Sequence, residues 1–158
     1  MKNNKIMKKT ILYLTLMIAL AACDSDLEKV HYNASDAKAA TLQPIGSIIV
    51  LDTQQSGETA ITFRWENPVI NYPASVTTDL QMDLSGKQFA GAMTLASTKT
   101  DSVYAITTAD LNTALLKLQD TYGLDEGPMN VDFRLVSGIS VAASPLYSNV
   151  VSTQIVQN

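Results

Sequence analysis

The sequence predicts an all-β domain, an antiparallel β-sandwich with one short helix. From Leu42 onward the chain consists of short runs in which apolar and polar residues alternate, separated by turn residues. Several such runs with turn signals between them are typical of a sandwich. In one segment the apolar spacing changes to that of a helix. Because 46% of the residues are hydrophobic and Cys occurs once, we expect a packed core that needs no disulfide.

Alternation with a period of two defines the individual strands, since successive side chains of a strand point to opposite faces. The stretch from Val76 to Leu84 alternates most regularly. We expect Ile61, Phe63 and Trp65, which share one face of their run, to lie in the core. The predicted strands are Gly46 to Leu51, Thr59 to Trp65, Val76 to Leu84, Ala92 to Ser97, Ser102 to Thr107, Asn130 to Val136 and Asn149 to Val156.

One amphipathic helix interrupts the strands. Leu111, Leu115 and Leu118 are spaced four and three residues apart. This spacing places them on one face of a helix. Thr107 or Thr108 is placed to cap the N-terminus, and Gly123 offers a stop after the last turn.

The first 22 residues have the layout of a secretory signal peptide. Four lysines precede a ten-residue apolar run, Ile11 to Leu20, and two alanines follow it. Ten residues are too few for a membrane span, which takes about 20. The domain organisation predicted is therefore a signal peptide at 1–22, an acidic flexible tether at 23–40 and a sandwich domain at 41–158.

The tetrapeptide Leu20 to Cys23 resembles the lipobox of bacterial lipoproteins. The resemblance implies cleavage before Cys23 and acylation of its thiol, so that the membrane is a partner through a lipid anchor. More than one acyl chain is needed for stable anchoring. The alternative is a plain signal peptide followed by a free cysteine.

Charge and composition exclude several function classes. Residues 23–158 hold seven basic and 15 acidic residues, which disfavours a nucleic-acid partner. The single histidine, His31, lies in the tether, so we expect no catalytic residue, no metal site and no cofactor.

Asp79 and Asp83 stand about 13 Å apart on one strand, which is too far for a glycosidase pair. We expect both carboxylates to be solvated, and we predict that the protein is not an enzyme.

Five segments, in order along the chain, resemble the N-terminal immunoglobulin-like domain of SusE-family outer-membrane lipoproteins. They are Thr62–Trp65, Leu80–Asp83, Ala109–Leu116, Val131–Arg134 and Leu146–Val151. The resemblance implies a fibronectin-type-III-like sandwich, lipid-anchored at the outer membrane and on the cell surface. It also implies polysaccharide or oligosaccharide capture beside a TonB-dependent transporter. Larger family members continue into C-terminal carbohydrate-binding modules, which we do not expect in this chain.

Two functions follow as alternatives. The first is a non-catalytic accessory of binding and uptake of a starch-like polysaccharide, and the second is a structural spacer or protein-docking module. Sugar recognition uses aromatic faces beside hydrogen-bonding groups. Because Trp65 and Phe133 are predicted to be core residues and Tyr147 to pack on the sandwich edge, the candidate glycan-binding residues are Tyr72 with Asn71, and Tyr122.

Overall fold

The structure, a computed structural model, describes residues 32–140 and 144–158. The predicted signal peptide, Cys23 and His31 therefore lie outside the described residues. The described chain forms these elements in order: β1 (Thr41–Leu42), β2 (Ile48–Leu51), β3 (Thr59–Glu66), β4 (Val76–Leu84), β5 (Met93–Thr98), β6 (Val103–Thr107), α1 (Thr108–Tyr122), β7 (Met129–Ile139), β8 (Leu146–Tyr147) and β9 (Val151–Gln157).

The strands form two sheets, which confirms the predicted all-β sandwich. The smaller sheet has the order β1-β3-β6, and the larger has the order β2-β9-β7-β4-β5 with β8 also paired to β7. The pairs are antiparallel except β2 with β9, which run parallel. At β2 the chain has left the smaller sheet, to which β1 belongs, and joins the edge of the larger one beside the last strand.

The core lies between the sheets and is closed by the helix. Phe63 of β3 and Phe133 of β7 are fully buried, and their ring centroids are 4.9 Å apart. Trp65 is 5% exposed, as the alternation predicts. The three predicted helix positions, Leu111, Leu115 and Leu118, belong to the same buried cluster.

The helix begins and ends where its capping residues predict. The Thr107 side chain accepts a hydrogen bond of 3.2 Å from the backbone N–H of Asp110. Gly123 adopts a left-handed conformation, with φ of 62°, at the C-terminal cap. A glycine suits this position because a side chain would be strained there.

Strand β7 is longer than its apolar pattern predicts. It continues past Val136 through Ser137 and Gly138 to Ile139. Ser137 is buried without breaking the core, because its hydroxyl lies 3.0 Å from the hydroxyl of Thr78 on β4. A cross-strand polar pair of this kind replaces an apolar contact.

The chain already packs against the domain before β1. The backbone N–H of Lys38 donates to the carbonyl of Val69 at 2.8 Å, and the N–H of Val69 donates to the carbonyl of Lys38 at 3.0 Å. Ala40 is buried in the core. The last residues of the segment predicted as a tether are thus attached to the loop between β3 and β4.

Candidate functional site

Tyr72 and Asn71 lie in the loop between β3 and β4, and the structure brings a second tyrosine to them. The rings of Tyr72 and Tyr32 meet edge to face, with centroids 6.2 Å apart and planes at 87°. Both rings are half-buried, and Asn71 is exposed. This arrangement, called the tyrosine pair below, joins two aromatic rings with a neighbouring exposed amide.

Hydrogen bonds hold this end of the sandwich together. The indole N–H of Trp65 donates to the side-chain carbonyl of Asn67 at 3.0 Å, and the amide of Asn67 donates to the carbonyl of Thr100 at 3.3 Å. The β3–β4 loop is therefore attached to the β5–β6 loop. A cleft of about 260 Å³ next to Trp65 also has Asp101 in its wall.

Tyr122 ends the helix and is engaged inside the domain. Its hydroxyl donates to a carboxylate oxygen of Asp83 at 2.8 Å, and the ammonium of Lys87 lies 5.2 Å from its ring centroid. The hydrogen bond to Asp83 raises the pKa of Tyr122, with smaller contributions from burial and from the negative charge of the carboxylate. The hydroxyl therefore stays protonated, and able to donate, to higher pH than an isolated tyrosine.

The prediction that Asp83 is solvated is wrong, because the residue is fully buried. One carboxylate oxygen accepts from Tyr122 and from the backbone N–H of Leu84 at 2.8 Å, and the other accepts from the N–H of Gly91 at 3.2 Å. Buried carboxylates are tolerated when hydrogen bonds replace the lost water. Three donors supply that replacement, from the strand, the β4–β5 loop and the helix.

The candidate residues do not form one site. Tyr72 precedes the start of β4 at Val76, whereas Tyr122 contacts Asp83 near the end of the same strand. Seven residues of extended strand span about 23 Å. A ligand at the tyrosine pair is therefore at the opposite end of β4 from Tyr122.

A second aromatic cluster lies on the outer face of the larger sheet. The guanidinium carbon of Arg134 on β7 is 4.1 Å from the ring centroid of Phe89 and 4.5 Å from that of Tyr147. The Nε–H of Arg134 also donates to the side-chain carbonyl of Gln81 at 3.0 Å. We refer to Phe89, Arg134 and Tyr147 as the arginine ladder.

Sequence reasoning missed the arginine ladder. Alternation along β7 indicates that Arg134 points away from the core, but Phe89 stands in the β4–β5 loop, outside any alternating run. Tyr147 is 52% exposed, and its contact with Arg134 follows from the pairing of β8 with β7. No short-range signal in the sequence reports that pairing.

Within residues 32–140 and 144–158, no group of three or more His, Cys, Asp or Glu side chains is arranged to hold a metal ion. Over the same residues, helices with the length and hydropathy of a membrane span are absent. The described residues thus form a small β-sandwich whose chemically distinctive groups are the tyrosine pair, the arginine ladder and the buried Asp83. The class of protein that these elements define is a β-sandwich domain with one helix.

The particular family follows from comparison with known proteins. The model of the SusE outer membrane protein family matches residues 25–135, and the chain belongs to this family. Membership places the protein at the outer membrane and links it to a Sus system of glycan utilisation, whose SusE members are non-catalytic accessory proteins. Searches of curated proteins and of solved structures gave no match.

Proposed function

We propose that this protein is a lipid-anchored, non-catalytic accessory that binds a polysaccharide at the cell surface and assists its uptake by a TonB-dependent transporter. The observation that carries the proposal is the tyrosine pair with the exposed Asn71 beside it. Sugars present apolar C–H faces that pack on aromatic rings and hydroxyls that bond to amides. Two half-buried rings beside an exposed amide let a sugar face pack on a ring while its hydroxyls bond to Asn71.

Tyr122 is a weaker contact in this proposal than the tyrosine pair. Its hydroxyl and ring are already engaged by Asp83 and Lys87. A sugar at Tyr122 would have to pack on the part of the ring that these contacts leave open. The glycan contact is therefore assigned first to Tyr72 with Asn71.

Replacement of Tyr72 by alanine is expected to weaken polysaccharide binding by about tenfold, the effect typical of an aromatic residue central to a contact. The measurement is affinity electrophoresis of the detergent-solubilised full chain in gels containing starch or other neutral polysaccharides. Tyr72→Phe keeps the ring and should bind almost normally. Val69→Ala, which alters an exposed apolar side chain of the same loop, is the matched control, and an equal loss in this control would contradict the assignment.

Replacement of Cys23 by serine is expected to abolish the anchor. Without the thiol no acyl chain is attached, and the membrane affinity that buried methylenes supply is lost. Metabolic labelling with a fatty acid and fractionation of membranes measure the two effects. Ser25→Ala, two residues further on, is the control, and undiminished labelling of the Cys23 variant would refute the anchor.

A structural spacer or protein-docking module is the second candidate function. The observation that favours it is an apolar edge on β2, where Ile48 is 61% and Val50 58% exposed. Among the described residues β2 pairs only with β9, so its other edge offers backbone groups for strand addition. A wild-type chain that no polysaccharide of the panel retards would favour this candidate.

A further inference from the structure

We infer that the arginine ladder is a second glycan-contact surface, and that it recognises neutral, hydroxyl-rich oligosaccharides rather than acidic ones. The inference rests on the proposed function, because it adds a surface to the same binding activity. The ladder belongs to the β4–β7–β8 part of the larger sheet, whereas the tyrosine pair lies at the loop end where β4 begins. The two surfaces are therefore separately testable.

The arginine is held in place before any ligand arrives. Its guanidinium lies against the rings of Phe89 and Tyr147, and its Nε–H is bonded to Gln81. A long arginine side chain normally loses conformational freedom when it binds, and a fixed one loses less. The bond to Gln81 uses only the Nε–H of the guanidinium, whose two terminal nitrogens carry the other four N–H donors.

The backbone beneath Phe89 is strained in a way that maintains the ladder. Gln88 and Phe89 have positive φ angles of 54° and 61°. This left-handed region is uncommon for residues other than glycine and disfavoured for a bulky aromatic. Hydrogen bonds stabilise the loop on both sides, from Ser85 to Asp132 at 2.5 Å and from Gly91 to Asp83 at 3.2 Å. Such strain is typical of positions that serve a ligand, and in this loop conformation the Phe89 ring lies against the guanidinium of Arg134.

The charges around the ladder determine the class of ligand. Asp79 and Asp132 stand on the outer face, each two residues along its strand from Gln81 or Arg134, which is about 7 Å. Asp132 accepts hydrogen bonds from two serine hydroxyls, and Asp79 accepts one from Ser97 at 2.6 Å. These carboxylates would repel a uronate or sulfate group. Sugar hydroxyls, in contrast, accept from Arg134 and donate to the carboxylates.

The ladder has the side-chain chemistry of a sugar contact rather than only of a sheet-stabilising stack. Tyr147 stays 52% exposed while its ring contacts Arg134, so the side chain remains accessible to a stacking ligand. An exposed tyrosine face beside a fixed guanidinium provides both a stacking plane and donors. We expect the pyranose ring to pack on the solvent side of Tyr147 with its hydroxyls toward Arg134.

Affinity electrophoresis of the detergent-solubilised full chain tests the inference, with starch and dextran as neutral probes and alginate and dextran sulfate as acidic ones. Tyr147→Ala and Arg134→Lys are each expected to weaken binding to a neutral probe by about tenfold. Arg134→Lys keeps the charge but loses the planar fork and the stacking. The control is Arg64→Lys, at an exposed position on β3 of the smaller sheet, which should bind normally.

Each outcome bears on one claim. If a neutral probe retards the wild-type chain and the variant with both ladder substitutions equally, the inference is overturned and the proposed function stays intact. Stronger retardation by alginate or dextran sulfate would overturn the assignment to neutral glycans. Failure of every probe to retard the wild-type chain would instead refute the proposed function. Thermal unfolding of each variant establishes that the fold is retained. Tyr147→Phe keeps the stacking ring and should bind like the wild-type chain.

Discussion

Replacement of Phe133 by alanine is expected to lower the free energy of unfolding by about 3–5 kcal/mol, the range for removal of a large buried aromatic side chain. Phe133 is fully buried and packs on Phe63 across the sandwich with centroids 4.9 Å apart. It stands on β7, which pairs with β4, β8 and β9. Its removal therefore leaves a cavity at the centre of both sheets, where the surrounding strands have little freedom to collapse.

Urea unfolding followed by circular dichroism measures this effect. Since a typical domain is stable by only about 5–15 kcal/mol, the variant should unfold at a clearly lower denaturant concentration. Val136→Ala on the same strand is the matched control: it is half-buried on the outer face, and we expect it to cost less than about 1.5 kcal/mol. Similar losses in the two variants would mean that Phe133 is not a central core residue.

Much of this fold could be predicted because one face of each strand is buried. The bounds of β4, Val76–Leu84, agree with the prediction to the residue, since alternation continues without a break from one turn to the next. The helix was predictable from Leu111 onward by its spacing and caps. The strands β1 and β8 were not predicted, because two residues each are too few to show a period.

The candidate sites were harder to predict than the core because they depend on contacts between distant segments. Burial of Trp65 follows from its position in an alternating run. In contrast, the partner of Tyr72 is Tyr32, which lies 40 positions earlier in the chain, in a segment without any pattern. Arg134 meets Phe89 in a β4–β5 loop of unusual backbone conformation. Local sequence patterns carry no information on either contact.

Asp83 shows how a regular pattern can mislead. Alternation along β4 places it on the polar face with Asp79 and Gln81, and a solvated carboxylate is the ordinary expectation there. The helix end and the β4–β5 loop cover it instead, and Gly91 permits the close approach. A Cβ atom at Gly91 would lie 2.5 Å from the hydroxyl oxygen of Tyr122. The glycine is the one sequence signal that, in retrospect, marks a tight contact.

Replacement of Asp83 by alanine is expected to lower the free energy of unfolding by about 2–3 kcal/mol, the cost of leaving hydrogen-bond donors without a buried acceptor. The donors are the Tyr122 hydroxyl and the backbone N–H groups of Leu84 and Gly91. Tyr122→Phe removes one of the three bonds and should cost only about 1 kcal/mol. The same urea unfolding experiment measures both, with Asp79→Ala on the same strand as the matched control.

The double variant of Asp83 and Tyr122 isolates the bond between them. Once the carboxylate is gone, the tyrosine hydroxyl has no acceptor there, so adding Tyr122→Phe to Asp83→Ala should cost less than it does in the wild-type chain. Asp83→Asn should fall between wild type and alanine: one amide oxygen still accepts from Tyr122, but the amide nitrogen then faces the N–H of Gly91, donor against donor. Strictly additive losses would mean that Asp83 and Tyr122 are not coupled, which would contradict the bond assigned between them. An asparagine variant as stable as wild type would mean that the charge and the second acceptor oxygen of Asp83 contribute nothing to holding helix, loop and strand together.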